Sequence, residues 1–468
     1  MTSPAGPSRR GEWRWLIGVL LVLTTLDASI PAAQAGIPPP GKTVLAVLPF
    51  TGPADLDGYG HVLAQALRDG LRQVRAVTAL KAGQIETSCE HLGLSLTETL
   101  SDEGLLALAR DLHVRGLVAG SYVTDGDTVT VRARFVDTAG PGLVEQGEAV
   151  SGPVTAYLLA PQRILATALQ RFQLPLTAME ERRVRQAFDG PHTTLGPYAL
   201  YARAGWEQGR GSADAQVQAV ALLTAAHEAD ALFALAPLAL GRLLLATNEP
   251  WRAWAALDDA LAIDPRLSEA HKLRGDVLAI MPTRPHAQAL RAYTMALELA
   301  PDYAEARVAM GDVRHAMGQT EEAITAYEQA LRLDPSSARA HQGLGKIYAD
   351  EDSLYHEAVA EFRQAVALDP GLLEAHLSLG DLYEEKGLSR EAIERYRDVL
   401  ALAPRHPGAA YALARASEKL DVSMAIARWE EYLRLASTLP AEVGWMEIAR
   451  KHLDKLRRGG SPTPRASP

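Results

Sequence analysis

One cysteine, Cys89, in 468 residues excludes an intramolecular disulfide and every metal centre that needs two or more thiolates. Positive charge is also short: 47 Lys and Arg stand against 57 Asp and Glu, a net −10, so no global basic field gathers phosphate and nucleic acid is not an expected partner. The chain has no G-x-S-x-G, P-loop, H-E-x-x-H or dinucleotide glycine fingerprint in a strand-to-helix setting. Asp55-Leu56-Asp57-Gly58 lacks the spaced oxygen ligands and closing Glu of a calcium loop. His91, two residues from Cys89, gives the thiol no more than sequence adjacency. The expectation is a chain with no enzymatic activity, no metal and no cofactor.

What is present begins with an address. Arg9, Arg10 and Arg14 precede an apolar run from Leu16 to Leu26, and Ala33-Gln34-Ala35 supplies a small-x-small cleavage site before Gly36. The run is shorter than the roughly 20 apolar residues of a spanning helix. Residues 1–35 read as a signal peptide, cleaved on export to the periplasm, with no stable membrane insertion afterwards. Glu12 and Trp13 disfavour the twin-arginine route, and the absence of Cys near the cleavage site excludes a lipoprotein anchor.

Two composition regimes follow. Residues 42–190 mix strand and helix signals. Val44 to Leu48 reads as a buried strand, Gly60 to Val74 as a helix, and Ala76 to Leu80 as a second strand. Ser101 caps a helix through Leu112, with Asp102 and Glu103 in its first turn. Gly116 to Thr124, the turn at Asp125-Gly126, and Thr128 to Asp137 form a hairpin, and Leu143 to Val150 adds a third member before a helix from Val154 to Leu174. Breakers at Gly190-Pro191 and Gly196-Pro197 mark a boundary. Residues 195–457 are Ala- and Leu-rich and helical, and 458–468 read as a disordered tail.

The helical part repeats itself. Gly241, Gly275, Gly311, Gly345 and Gly380 recur every 34 to 36 residues, and Pro265, Pro301, Pro335, Pro370 and Pro404 keep the same beat. Between them an Ala is followed four residues later by an aromatic: Ala289 and Tyr293, Ala323 and Tyr327, Ala358 and Phe362, Ala392 and Tyr396. Small residues let two helices approach, the ring fills the gap, and proline stops the second helix. Tyr198 to Phe233, with Glu207 in the glycine slot, and a unit around Ala414, Ala425 and Trp429 are degenerate copies, about seven in all; Ala441 to Arg457 reads as a capping helix, and Met281 to Pro285 as an insertion bulging at the surface. The pattern resembles the tetratricopeptide repeat (TPR) family, which implies an all-α solenoid, a right-handed superhelix of helix-turn-helix repeats.

In that family the residue after the glycine and the one three before it line a concave face. The candidate partner-binding residues here are Arg242, Lys272, Asp276, Asp312, His315, Gln342, Lys346, Leu377, Asp381, Glu384, Tyr411 and Arg415. The family's carboxylate-clamp Asn after the glycine is missing, so the resemblance implies a protein or peptide partner without that specificity. His271, His341 and His376 share a slot; one ring per repeat, about 10 Å apart, cannot share an ion at Zn–N distances near 2.0 Å, so they read as packing residues.

Val44 to Phe50 and Ala109 to Ser121, with Asp125-Gly126-Asp127 and Phe135-Val136-Asp137, resemble the amino-terminal TolB-like and CsgG-like envelope domains, often followed by TPRs. The whole reads as an exported, non-enzymatic adaptor in the cell envelope. The alternative is a regulator whose α/β domain binds a small molecule and signals through the repeats.

Overall fold

The computed structural model describes residues 42–459 except 54, 55, 57, 140–142, 189–192, 282, 284, 351, 440 and 441. The expected signal peptide, the Asp55 and Asp57 loop, the Gly190-Pro191 breaker and residues 460–468 of the tail lie outside the described residues. The described residues fall into two compact units, one within 38–319 and one within 320–459.

The first unit opens with a mixed sheet: β1 (Thr43–Val47), β2 (Val77–Ala79), β3 (Gly116–Asp125), β4 (Thr128–Asp137), β5 (Val144–Gln146) and β6 (Val150–Pro153), in the order β2-β1-β3-β4-β5, with β6 also on β4. β1 runs parallel to β2 and β3, and β3 pairs β4 antiparallel from Gly116 opposite Asp137 to Asp125 opposite Thr128. Gly126, at φ 57°, supplies the left-handed residue the two-residue turn requires. The expected third hairpin member is two short strands, because Gly147 bonds back to the Ala133 carbonyl and the chain leaves the ladder before β6 rejoins it.

Alternation along β1 feeds two cores. Leu45 and Val47 pack with α1 (Tyr59–Leu71) and α4 (Leu159–Arg171); Val44 and Ala46 pack with α2 (Ala82–Leu92) and α3 (Asp102–Asp111). Ser101 caps α3, its Oγ accepting the Gly104 N–H at 3.1 Å. The expected helix from Val154 is a single 3-10 turn, and α4 starts only at Leu159, placing Pro161 in the first turn where its missing N–H costs nothing. α5 (Ala178–Phe188) completes the layer.

The hairpins follow: α6 (Leu195–Arg210) with α7 (Ala213–Ala229), α8 (Leu235–Ala246) with α9 (Pro250–Ile263), α10 (Ser268–Ile280) with α11 (His286–Leu299), then α12 (Ala304–Ala316). α6 docks on α1 and α2. Trp206 is buried under the Arg68 guanidinium at 4.8 Å, Arg68 donates to the Val47 carbonyl at 2.6 Å, and the Trp206 indole donates to Glu86 at 2.9 Å. Met281, the first residue of the expected surface bulge, is instead buried beside Val277 and Tyr293; residues 282 and 284 lie outside the described residues.

The second unit is helical throughout its described residues: α13 (Thr320–Leu333), α14 (Ala338–Ala349) with α15 (Tyr355–Leu368), α16 (Leu373–Glu385) with α17 (Ser389–Leu402), α18 (Pro407–Ser417) with α19 (Val422–Ala436), and α20 (Val443–Gly459). Each repeated proline stands two residues beyond a second helix, as Pro370 does after Leu368. A Cβ at Gly380 would come within 2.6 Å of the Tyr396 ring, which is fully buried; Gly275 meets Tyr293 in the same way. The recurring histidines pack as expected: His271 and His376 reach the carbonyls of Pro265 and Pro370 at 2.9 and 3.1 Å, and His341 pairs with Glu361 at 2.7 Å.

Candidate partner-binding face

Within each unit the first helices of successive hairpins adjoin, so residues at the glycine-linked slots meet across the step. In the first unit Arg242 of α8 pairs with Glu269 of α10 at 2.9 Å, and Lys272 pairs with Asp276 on its own helix at 2.7 Å. Asp276 also accepts the Tyr293 hydroxyl at 3.0 Å. Asp312 is exposed on α12, and His315 is half-buried one turn on.

In the second unit Gln342 and Lys346 of α14 both donate to Glu374 Oε2 on α16, at 2.8 and 3.0 Å. Glu384, buried on α16, takes a bidentate pair from Arg415 of α18 at 2.9 and 3.0 Å. The Tyr396 hydroxyl donates to Asp381 at 2.7 Å and reaches Glu384 at 3.2 Å. Leu377 is buried in the core below this strip, and Tyr411 sits edge-on to Trp429, Tyr432 and Trp445 with centroids 5.1 to 5.4 Å away.

These pairings set the charges. Crowding by surrounding protein pushes the Asp381 carboxyl up to about 6, against the Tyr396 hydrogen bond and Arg415, although the side chain keeps contact with solvent. Lys346 holds Glu374 below the ordinary carboxylate range. Desolvation opposes the Arg415 charge, and the Glu384 hydrogen bond and charge outweigh it, so Arg415 is held more firmly protonated.

Three residues that the slots did not point to complete these pairings, Glu269 in the first unit and Glu374 and Tyr396 in the second. Both glutamates stand six residues before a glycine slot, 27 and 28 residues after the cation each one binds, and that opposite-charge spacing is a signal the sequence carried. Elsewhere, burial and then Glu86 and Glu90 push the Cys89 thiol up to about 11, away from a reactive thiolate. Among the described residues no group of three or more His, Cys, Asp or Glu side chains forms a metal site, and no helix is long and apolar enough to cross a membrane.

Residues 311–351 match the TPR repeat model and residues 375–410 the tetratricopeptide repeat model. No curated protein matches the chain. Among solved structures it is similar to YrrB, described as a TPR protein with an unusual peptide-binding site, at 25% identity over 41% of this chain and 96% of that one, TM-score 0.29. It is also similar to the Cut9–Hcn1 hetero-tetramer of the APC/C, at 18% identity over 64% and 55%, TM-score 0.47, and to PilF of Pseudomonas aeruginosa, at 20% over 47% and 97%, TM-score 0.39. A small mixed sheet thus precedes an array of helical hairpins, and residues 311–351 and 375–410 of that array are tetratricopeptide repeats, a fold that generally mediates protein–protein interaction.

Proposed function

We propose that the chain is an exported, periplasmic adaptor without enzymatic activity that holds a protein or peptide partner on the first-helix face of α14, α16 and α18. The observation that carries the reading is the polar strip from Lys346 through Glu374 and Glu384 to Arg415, which joins the first helices of three successive hairpins side chain to side chain, with Asp381 beside it. Its pairings hold the long side chains in place before a partner arrives, which lowers the ordering cost of binding. Asp381, solvent-accessible and flanked by Glu384, offers a carboxylate to a donor from outside. The apolar run and cleavage pattern of residues 1–35 support export, and the strand pattern of residues 42–137 supports an envelope domain of the TolB-like and CsgG-like kind.

The test is capture from envelope extract by the mature chain and by a double variant, Glu374→Lys with Asp381→Lys. A polypeptide retained by the parent and lost by a folded variant supports the reading. Equal capture by both moves recognition off this face.

A further inference from the structure

In the first unit the sheet layer meets the equivalent face at both ends, while Asp312 stays exposed. Tyr201 of α6 stands six residues before Glu207, which fills the glycine slot, so it is the counterpart of Glu269 and Glu374. Its hydroxyl donates to Asp69 of α1 at 3.3 Å, and Gln65, one turn before Asp69 and buried, donates to the other Asp69 oxygen at 2.9 Å. No gap separates the helices: a Cβ at Gly205 would lie 2.6 Å from the Gln65 amide oxygen. Arg242, the next slot along, lies in the field of both Asp69 and Glu269. Further on, Arg183 of α5 reaches Asp302, in the turn before α12, at 3.1 Å, with 26% and 14% of the two side chains exposed. Tyr303, beside it, lies in the field of Glu269 and Arg242. Contacts from the sheet layer therefore reach the repeats at the first helix of the face, through Tyr201, and at the entrance to the fourth, through Asp302.

We infer that the α/β layer is the resident occupant of the repeat face from α6 to α12: α1 and α5 hold, in cis, the position a partner segment would take, and binding of a partner to these repeats requires their release. The inference rests on reading the first-helix face as the recognition face, but its test needs no partner. Two features favour an intramolecular occupant. The contacts are polar at both ends, Asp69 accepting from Tyr201 and Arg183 pairing with Asp302, and the far contact is an exchangeable ion pair rather than part of the buried core.

The experiment is amide hydrogen exchange on the full chain, comparing the parent with Arg183→Asp, Asp302→Arg and the swapped double variant. Each single variant puts like charges face to face, and the swap restores the pair. The expected result is exchange faster by about fivefold or more in residues 235–246 and 268–280 of both single variants, with parent-like exchange in the swap. Unchanged exchange in either single variant, or a swap as exposed as the singles, overturns the inference. Far-UV circular dichroism on the same samples separates release from unfolding: loss of helix in both singles that the swap does not recover also counts against it. Failed partner capture on α14, α16 and α18 would sink the proposed function and leave this result standing.

Discussion

The two units use the same helical hairpin to different ends. In residues 38–319 the sheet, α1, α4 and the first repeat helices share one hydrophobic core that runs from Leu45 through Tyr198 and Phe233 to Leu243, closing contacts between residues more than 100 positions apart. In residues 320–459 the cores are local: Ala358 to Ala416 form one, and Ala410 to Leu453 another, each spanning neighbouring hairpins. A repeat array is stabilised by nearest neighbours; only where a second architecture is docked on it does stability become long-range. In the first unit the docked layer also meets the repeats through Tyr201 and Asp302, whereas the described residues of the second unit contain helices and no sheet to dock.

The largest effects should separate the units by reach rather than size. Trp206→Ala and Tyr396→Ala each remove a buried ring and should cost about 3–5 kcal/mol in denaturant unfolding. Hydrogen exchange should tell them apart, since Trp206→Ala loosens β1, α1 and α6 together while Tyr396→Ala is confined to α16 to α18. Equal reach for both would break the comparison. Next, Gly380→Ala pushes a Cβ against the Tyr396 ring and should cost about 1–3 kcal/mol by the same assay. Tyr396→Leu in that background, if it recovers part of the loss, would identify the ring as the obstacle.

Glu384→Gln is a smaller change. It keeps the shape but weakens the bidentate pair with Arg415, a side chain 41% exposed, so about 1 kcal/mol is expected, with the effect reduced further at high salt. Smallest is a pH step. His406 Nδ1 accepts the Ala409 N–H at 3.0 Å and caps α18, and burial holds its pKa below the ordinary 6.5. Its contribution is therefore fully present above pH 6.5 and is lost as pH falls below that through the lower pKa of the folded state, because protonated Nδ1 can no longer accept. Asp381 slopes the other way, its ionisation weakening the unit as pH rises from the ordinary 3.8 to about 6. The His406 step, under about 1 kcal/mol, is accordingly read as the difference between the parent and His406→Asn, which keeps an acceptor without the titration.

Much of this was legible in the sequence because the signals were local. The glycine, aromatic and proline beat fixed where helices pair and stop, Ser101 marked a cap, and Asp125-Gly126 marked a turn. α2 was missed because Ala82, Ile85, Ser88 and Cys89, its buried residues, make a stripe half of small or polar side chains. α5 was missed for a related reason: its buried positions include Glu180, which accepts the backbone N–H groups of Arg75 and Thr177 rather than facing water. The docking of α6 on α1 was out of reach of any window, since Gln65 and Gly205 are 140 positions apart. The slots named both members of the Lys272–Asp276 and Glu384–Arg415 pairs but missed Glu269 and Glu374, which reach Arg242 and Lys346 from the next repeat.

The most direct test of the central claim is site-specific photo-crosslinking in the intact cell envelope, with the crosslinking amino acid placed at position 381 in one variant and at position 242 in another. The account predicts a crosslink to a second polypeptide from position 381 and only intramolecular products from position 242. A second polypeptide captured from position 242 and none from position 381 would contradict it.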